Sequence, residues 1–270
     1  MTARDGAAEP ATGATPELIV HRDAPLLAQA VAARLVTKLV DVLAVKDEAH
    51  LVLTGGTVGI GSLAALAQMP ACAAVEWRRV HLWWGDERFL PEGDGERNET
   101  QARAALLNGL DLDPARVHPM APSDGPDGDD AQAAADRYAA ELARYAPADG
   151  DVPEFDVTMF GMGPDGHIAS LFPEHPGVYE EKASVIAVHN SPKPPPNRLS
   201  LTFRAIACSR EVWVVAAGAE KAAAAHLALS GAGRVQVPAA AARGRNKTLW
   251  LLDRACAAQL PPGLNRIASP

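Results

Sequence analysis

The sequence has 270 residues, of which 48% are hydrophobic and 21% charged, and this ordinary composition is enough to bury a sizeable globular core. Its formal net charge of −8 argues against a dedicated nucleic-acid or membrane-surface protein, because both classes rely on basic surfaces. The three cysteines form no C-x-x-C pair and no apolar run reaches the ~18 residues of a membrane span, so we expect a cytoplasmic protein with reduced thiols.

The first residues differ in composition from the rest of the chain. Residues 1–15 are rich in Ala, Gly and Thr, and they lack the apolar segment of a signal peptide. We therefore expect a flexible N-terminal tail over 1–15. Because no internal repeat or linker divides the remainder, we expect a single α/β domain over 16–270.

Strand and helix patterns alternate along this domain. Short apolar runs predict strands at 50–54, 80–84, 155–160, 184–188, 211–217 and 248–252. Helical periodicity, with Asp23 as the expected first cap, predicts helices at 25–45, 59–68, a stretch ending at 107, 131–145, 221–229 and 238–243. Polar and turn-forming residues predict loops at 85–98 and 121–130. Apolar strands that precede helices predict an α/β fold in which a mostly parallel sheet carries helices on both faces.

Ligands of such sheets bind at the carboxyl ends of the strands, and every unusual motif of this chain follows a candidate strand. The first motif is Thr54-Gly55-Gly56-Thr57, which precedes a predicted helix. Small residues at a helix N-terminus let backbone N–H groups approach an anion, although a plain tight turn has the same composition. The spacing fits neither a Walker A loop nor a G-x-G-x-x-G fingerprint.

Three charged segments follow other candidate strands, and each is weak by itself. The first segment is Asp86-Glu87-Arg88, whose carboxylates could act as acid–base groups and whose guanidinium could bind a phosphate through two hydrogen bonds. The alternative is a solvated charged loop without a function. Lys221 begins a predicted helix and could reach a phosphate, although an exposed lysine is commoner there. Arg198 follows a proline run that could present it rigidly, but a surface loop is the simpler interpretation.

The most specific motif spans residues 161–173, Gly-Met-Gly-Pro-Asp-Gly-His-Ile-Ala-Ser-Leu-Phe-Pro. Asp165 stands two residues before His167 on a glycine- and proline-rich turn, where it could orient the imidazole. Together with His175 these residues could instead bind a metal, but their spacing matches no recognised ligand pattern. We therefore expect a catalytic role for His167 and Asp165, with no metal.

These five segments together resemble the glucosamine-6-phosphate deaminase/6-phosphogluconolactonase family. They occur in the family's order over roughly residues 17–253, although many relatives have Ser-Gly-Gly-Ser-Thr-Pro where this chain has Thr54-Gly-Gly-Thr-Val-Gly59. The resemblance implies a Rossmann-like α/β sheet in one domain without metal or other cofactor. It also implies a small phosphorylated sugar lactone as partner, in a monomer or small homo-oligomer.

The lactonase branch of this family implies hydrolysis of 6-phospho-D-glucono-1,5-lactone in the oxidative pentose phosphate pathway. Carried over from the resemblance, His167 is the general base and Asp165 supports it. The expected substrate- and phosphate-binding residues are Gly55, Gly56, Thr57, Asp86, Arg88, Arg198 and Lys221. No G-x-S-x-G segment is present, so we expect direct attack by water instead of a serine nucleophile.

Two other functions remain open at this point. A glucosamine-6-phosphate deaminase/isomerase is the alternative enzyme, although that branch has Asp-Glu-Tyr in place of Asp86-Glu87-Arg88. It also has a glutamate after the histidine, where this chain has Ser170-Leu-Phe-Pro173. A non-catalytic sugar-phosphate sensor on the same fold is the third possibility. Such sensors carry an added helix-turn-helix, whereas here one predicted helix precedes the glycine loop.

Overall fold

The computed structural model describes residues 13–261, 263–264 and 266–268. Within them the strands are β1 (Pro16–His21), β2 (Ala49–Leu53), β3 (Val80–Trp84), β4 (Asp86–Arg88), β5 (Val117–His118), β6 (Val157–Gly161), β7 (Val185–Val188), β8 (Arg198–Leu201), β9 (Glu211–Ala216), β10 (Lys247–Asp253) and β11 (Arg266–Ala268). The helices are α1 (Ala24–Leu43), α2 (Gly56–Ala67), α3 (Asn98–Ala105), α4 (Ala131–Ala143), α5 (Phe203–Ile206) and α6 (Ala222–Leu229).

The expected tail over 1–15 falls almost entirely outside this range, because residues 1–12 are not among those described. At its end, the backbone N–H of Ala14 donates to the carbonyl of Gly244 (2.9 Å). Among the described residues, no helix combines the length and the apolar character that crossing a membrane requires.

Eight strands form the main sheet, in the order β11-β1-β10-β9-β6-β2-β3-β5, and all their pairings are parallel. The predicted strands are confirmed to within two residues at either end. Alternation along β10 separates two cores: Leu249 and Leu251 pack with α1, α2 and α3, whereas Trp250 and Leu252 pack with α4, α5 and α6. The predicted α/β fold, with a parallel sheet between two helical layers, is confirmed.

Local sequence explains where α1 begins. The side chain of Asp23 accepts a hydrogen bond from the N–H of Leu26 (2.9 Å), which satisfies one of the free amides of the first turn. Pro25 occupies the first turn, where its missing N–H costs nothing. The apolar positions that predicted the helix, from Leu27 to Val42, are buried against the sheet.

A second, three-stranded antiparallel sheet corrects two loop predictions. Its order is β4-β8-β7, so the predicted strand at 184–188 pairs here and not in the parallel sheet. The loop predicted at 85–98 begins with buried β4, and the surface loop predicted around Arg198 is buried strand β8. Leu199 and Leu201 explain the second error, because both are buried in one of the two cores. A short 3₁₀ turn, Pro238–Ala241, replaces the helix predicted at 238–243.

The order of the strands fixes where a ligand can bind. From β2 the chain proceeds outward to β3 and β5, then returns to β6 beside β2 and proceeds the other way to β9 and β10. The strand order therefore reverses between β2 and β6, which pair at Leu51 with Val157 and at Val52 with Thr158. Such a reversal leaves a crevice outside the carboxyl ends of the two strands, where open α/β sheets bind their ligands.

Candidate active site

A cavity of about 240 Å³ lies at this reversal point, among the segments that follow β2, β3, β6 and β9. Every predicted site residue except Asp165 lines it: Gly55, Gly56, Thr57, Asp86, Arg88, His167, Arg198 and Lys221. Asp165 contacts His167 directly. The structure therefore brings together residues that are up to about 170 positions apart in the sequence, because the carboxyl ends of parallel strands share one edge.

A larger cavity, of about 670 Å³, lies elsewhere, between the segments 67–79 and 106–111. Its polar groups are engaged with one another or with the backbone. The indole N–H of Trp77 donates to the carbonyl of Cys72 (3.0 Å), and Arg79 donates to the carbonyls of Leu43 and Lys46. This cavity is the larger of the two but lacks a constellation of acid, base and available cations, so we place the active site in the smaller one.

The glycine loop is shaped by close contacts. A Cβ at Gly55 would lie 1.8 Å from Oδ1 of Asn98, so only glycine fits there. Gly56 has φ of +77°, a left-handed conformation that other residues adopt at a cost. No side chain caps the N-terminus of α2, and its first residues line the cavity. This helix start therefore provides the backbone N–H groups and positive dipole end that favour an anion.

His167 and Asp165 form a hydrogen-bonded pair on the turn after β6. The imidazole Nδ1 lies 2.6 Å from Oδ1 of Asp165, and the turn is closed by the N–H of Gly163, which donates to the carbonyl of His167 (3.0 Å). Because the ionised carboxylate accepts a hydrogen bond from Nδ1–H, a neutral imidazole carries its lone pair on Nε2. The ring packs against Phe172, with centroids 4.6 Å apart.

The charge of Asp165 is maintained by its neighbours. Burial favours the neutral acid, but the hydrogen bond and charge of His167 and the ammonium group of Lys193 outweigh it and hold the pKa of Asp165 well below its usual range. The Lys193 Nζ lies 3.1 Å from Asp165 Oδ1. Asp165 is therefore ionised at neutral pH and able to stabilise an imidazolium on His167.

Asp86 links the loops of the site. Its Oδ2 accepts a hydrogen bond from the hydroxyl of Ser170 (2.7 Å), and its backbone carbonyl accepts one from Nδ2 of Asn98 (2.8 Å). These contacts join the loop after β3 to the loop after β6 and to α3. They also leave the Asp86 side chain, which is 8% exposed, at the wall of the cavity.

Glu87, the next carboxylate, has a structural position. It is fully buried and accepts hydrogen bonds from the N–H groups of Arg88, Asn98 and Glu99 at the start of α3. Burial raises the pKa of Glu87 to about 7, against the opposing effect of the Arg97 guanidinium, 3.7 Å away, and of these amides. Glu87 therefore holds α3 in place and does not line the cavity.

The three predicted cations differ in how they are engaged. Arg88 donates from Nη1 to the carbonyl of Glu96 (2.5 Å), while its buried Nε has no partner among the described residues. Arg198 is 6% exposed, and burial lowers its pKa. Its guanidinium donates to the carbonyls of Pro194 (2.7 Å) and Pro195 (3.2 Å), so it organises the proline loop. Lys221 forms no ion pair with any described carboxylate, which leaves its ammonium group available to an anion.

Two polar side chains that line the cavity escaped the sequence analysis. Asn98 begins α3 and supports the glycine loop, and Lys193 contacts the His167–Asp165 pair. Neither stands directly after a strand of the parallel sheet, which was the signal that identified most of the others. The one available hint was that Lys193 precedes the proline run leading to Arg198.

A second group of titratable residues, the histidine cluster of His50, His81 and His118, lies at β2, β3 and β5. Glu48, His50 and His81 have potential metal-binding atoms within 4.8 Å of one another. However, the rings of His50 and His81 are stacked nearly parallel, with centroids 4.5 Å apart, so their nitrogens lie in separate planes. Parallel rings do not direct their lone pairs at a common point, which a metal site requires.

The hydrogen bonds of this cluster also argue against a metal. The indole N–H of Trp83 donates to Nδ1 of His50 (3.1 Å), so a neutral His50 carries its proton on Nε2, the atom that would have to bind the metal. Arg116 Nη1 already lies 3.1 Å from Oε2 of Glu48 and 3.2 Å from Nε2 of His81. The cation of this cluster is therefore the guanidinium of Arg116.

Comparison with known proteins agrees with this geometry. The sequence pattern that describes "Glucosamine-6-phosphate isomerases/6-phosphogluconolactonase" matches residues 22–250. The chain belongs to this family. The resemblance inferred from the five motifs is thereby confirmed, and the motif segments lie within the matched range.

Relatives within this family carry a more specific name. A protein of Streptomyces coelicolor named 6-phosphogluconolactonase is 61% identical over 257 residues, which cover 94% of this chain and 98% of the relative. A Mycobacterium tuberculosis protein of the same name is 51% identical, covering 90% and 97%. The solved structure of 6-phosphogluconolactonase from Trypanosoma brucei is similar with a TM-score of 0.80 and 29% identity, covering 92% of this chain and 99% of that one.

Proposed function

We propose that this chain hydrolyses 6-phospho-D-glucono-1,5-lactone to 6-phosphogluconate, by general-base activation of water. The observation that carries this proposal is the His167–Asp165 pair beside a cavity that also contains an uncapped helix start and available cations. The names of the relatives at 61% and 51% identity support the lactonase branch of the family. The activity belongs to the oxidative pentose phosphate pathway.

In the proposed reaction, Nε2 of His167 accepts a proton from water while the water oxygen forms a bond to the lactone carbonyl carbon. The tetrahedral intermediate then collapses, the bond from C1 to the ring oxygen breaks, and the imidazolium returns its proton to that oxygen. Asp165 accepts a hydrogen bond from Nδ1–H throughout and stabilises the imidazolium between these steps. A δ-lactone is an activated ester, so positioning and one general base, worth about 10²–10⁴-fold, suit this substrate.

The substrate's phosphate is assigned to the helix start and the cations. Gly55, Gly56 and Thr57 contribute the first turn of α2, and Lys221 and Arg88 contribute positive charge. Arg198 contributes charge from a buried position and holds the proline loop. The Asp86 side chain accepts a hydrogen bond from Ser170, and an acceptor of this kind suits a sugar hydroxyl and not the phosphate.

The decisive variant is His167→Asn, which removes the base and keeps a polar side chain. We expect kcat to fall by about 10²–10⁴-fold with product affinity nearly unchanged, because a base acts mainly in the transition state. His226→Asn is the matched control, since His226 is half-buried on α6, bonds the carbonyl of Gln259 and does not line the cavity. Lactone consumption is followed with spontaneous hydrolysis subtracted. A folded His167→Asn protein with near-wild-type kcat would remove His167 from the mechanism.

The deaminase alternative is not favoured. Where that branch has a stretch with a glutamate after the histidine, this chain has Ser170-Leu-Phe-Pro173, which supplies no glutamate. The purified protein should therefore release no ammonia from glucosamine 6-phosphate, measured with a coupled ammonia assay beside lactone turnover. Ammonia release at a rate comparable with lactone hydrolysis would reverse the assignment. Cytoplasmic location and a monomeric or small homo-oligomeric state stay predictions from the sequence.

A further inference from the structure

Lys193 lies beside the catalytic pair without having been predicted as a site residue. Its Nζ lies 3.1 Å from Oδ1 of Asp165 and 3.2 Å from Nδ1 of His167. The same carboxylate oxygen therefore faces two groups at once, the imidazole and the ammonium. The Lys193 side chain is 37% exposed and also lines the cavity.

We propose that Lys193 is a positioning residue that competes with His167 for Asp165 and so sets the pH range over which His167 acts as the base. This inference rests on the proposed lactonase function. Asp165 stabilises a proton on the imidazole, and the ammonium group opposes it, partly by repelling the imidazolium and partly by neutralising the carboxylate. Removal of the ammonium group should therefore move the acid limb of turnover to higher pH.

The position of Lys193 is built into the fold. Its backbone carbonyl accepts a hydrogen bond from Nη2 of buried Arg198 (3.2 Å), and the carbonyl of Pro194 accepts a second (2.7 Å). The proline run that follows restricts the backbone further. Arg198 therefore holds the start of the loop from which Lys193 reaches the catalytic pair.

Other charges also face His167 and must be held constant in any test. Asp86 and Arg88 on β4, Arg198 on β8, and Lys221 after β9 line the same cavity. The ring's remaining close contact is Phe172, which is uncharged. Among the charged groups of the site, Asp165 and Lys193 are the two in direct contact with the imidazole.

The expected size of the effect follows from distance and exposure. A charge within a few ångströms shifts a proton equilibrium by about 1–3 pH units when the site is shielded. Because Lys193 is more than a third exposed, solvent screens it, and we expect the lower end of that range or less. Removing the ammonium should therefore increase the proton affinity of His167 by roughly three- to tenfold.

The test compares Lys193→Met and Lys193→Arg with wild type in two measurements. The first is kcat/KM against pH, and the second is an NMR titration of the His167 imidazole in the resting protein, assigned by its absence in His167→Asn. In Lys193→Met, both midpoints should rise by about 0.5–1 pH unit, and Lys193→Arg should restore them. Lys182→Met is the matched control, because it removes the same charge from an exposed site and should move neither midpoint.

The outcomes separate this inference from the proposed function. If Lys193→Met leaves the imidazole midpoint unchanged or lowers it, the inference is wrong, even if His167→Asn abolishes turnover. If the imidazole midpoint rises while the acid limb of kcat/KM stays in place, His167 is not the base, and the proposed mechanism fails. A change confined to KM would make Lys193 a substrate-binding group and would likewise overturn the inference.

Discussion

Replacing Gly55 by alanine places a methyl group where the structure already holds another side chain. The new Cβ would lie 1.8 Å from Oδ1 and 2.4 Å from Cγ of Asn98, so Asn98 must move. Asn98 is buried, its Nδ2 donates to the carbonyl of Asp86, and its backbone N–H donates to Glu87 (2.6 Å). Overpacking costs about 1–3 kcal/mol and an unsatisfied buried polar group costs a similar amount. We expect the free energy of unfolding to fall by roughly 2–6 kcal/mol.

Gly61→Ala provides the control for this prediction. Gly61 lies in the same helix, α2, and a Cβ there meets nothing within 4 Å. Alanine is the better helix former, so this variant should be more stable than wild type by roughly 0.5–1 kcal/mol. Urea denaturation at neutral pH measures both variants, and lactone kinetics should show a raised KM for Gly55→Ala alone. Equal stability of Gly55→Ala and wild type would refute the contact between Gly55 and Asn98.

Three further predictions concern the site and the histidine cluster. Arg88→Ala and Lys221→Ala should each raise KM for the phosphorylated lactone, since each removes a charge-assisted contact of about 1.5–3 kcal/mol. Both variants should leave the slow hydrolysis of the unphosphorylated lactone unchanged. An unaltered KM in both would place the phosphate elsewhere. Activity should survive exhaustive chelation, and loss that one added metal reverses would show that the site had been misread. Burial lowers the pKa of His50 and of His118 to about 4. Between about pH 6.5 and 4 the two histidines therefore bind protons in the unfolded chain but not in the folded chain. Glu87 opposes this effect, because its pKa of about 7 makes the folded chain bind one proton that the unfolded chain lacks over most of the same range. The net free energy of unfolding should therefore fall by roughly 2–4 kcal/mol through the window, measured by urea denaturation; a flat profile would contradict a neutral, buried cluster.

The parallel sheet and most of the site could be predicted because both depend on local patterns. Apolar runs followed by glycine or charge mark strand ends, and strand ends in a parallel sheet share an edge. Gly55, Asp86, His167 and Lys221 each stand just after such a run, so the sequence alone could bring them together.

The antiparallel sheet could not be predicted in the same way, because its stability comes from distant partners. From the sequence alone, Glu87 is expected to be a surface carboxylate. Its burial depends on the N–H groups at the start of α3 and on the Arg97 guanidinium, which surround it only in the folded structure. Lys193 is similar, since nothing in its neighbourhood along the chain indicates that its ammonium group reaches Asp165. Strand β1, six residues long, was also missed, although Leu18, Ile19 and Val20 form an apolar run; its partners, β10 and β11, come from the far end of the sequence.

The placement of β1 between β10 and β11 constrains how the protein is made. Its partner residues run from Thr248 to Asp253, opposite Pro16 to His21. Roughly 230 residues separate the two strands, and at ribosomal rates of about 5–20 residues per second their synthesis is separated by about 10–50 s. Throughout that interval Leu18, Ile19 and Val20, which are buried in the finished protein, belong to a nascent strand whose neighbours do not yet exist. The pairing of β1 with β10 can therefore form only after residues 248–253 have been synthesised.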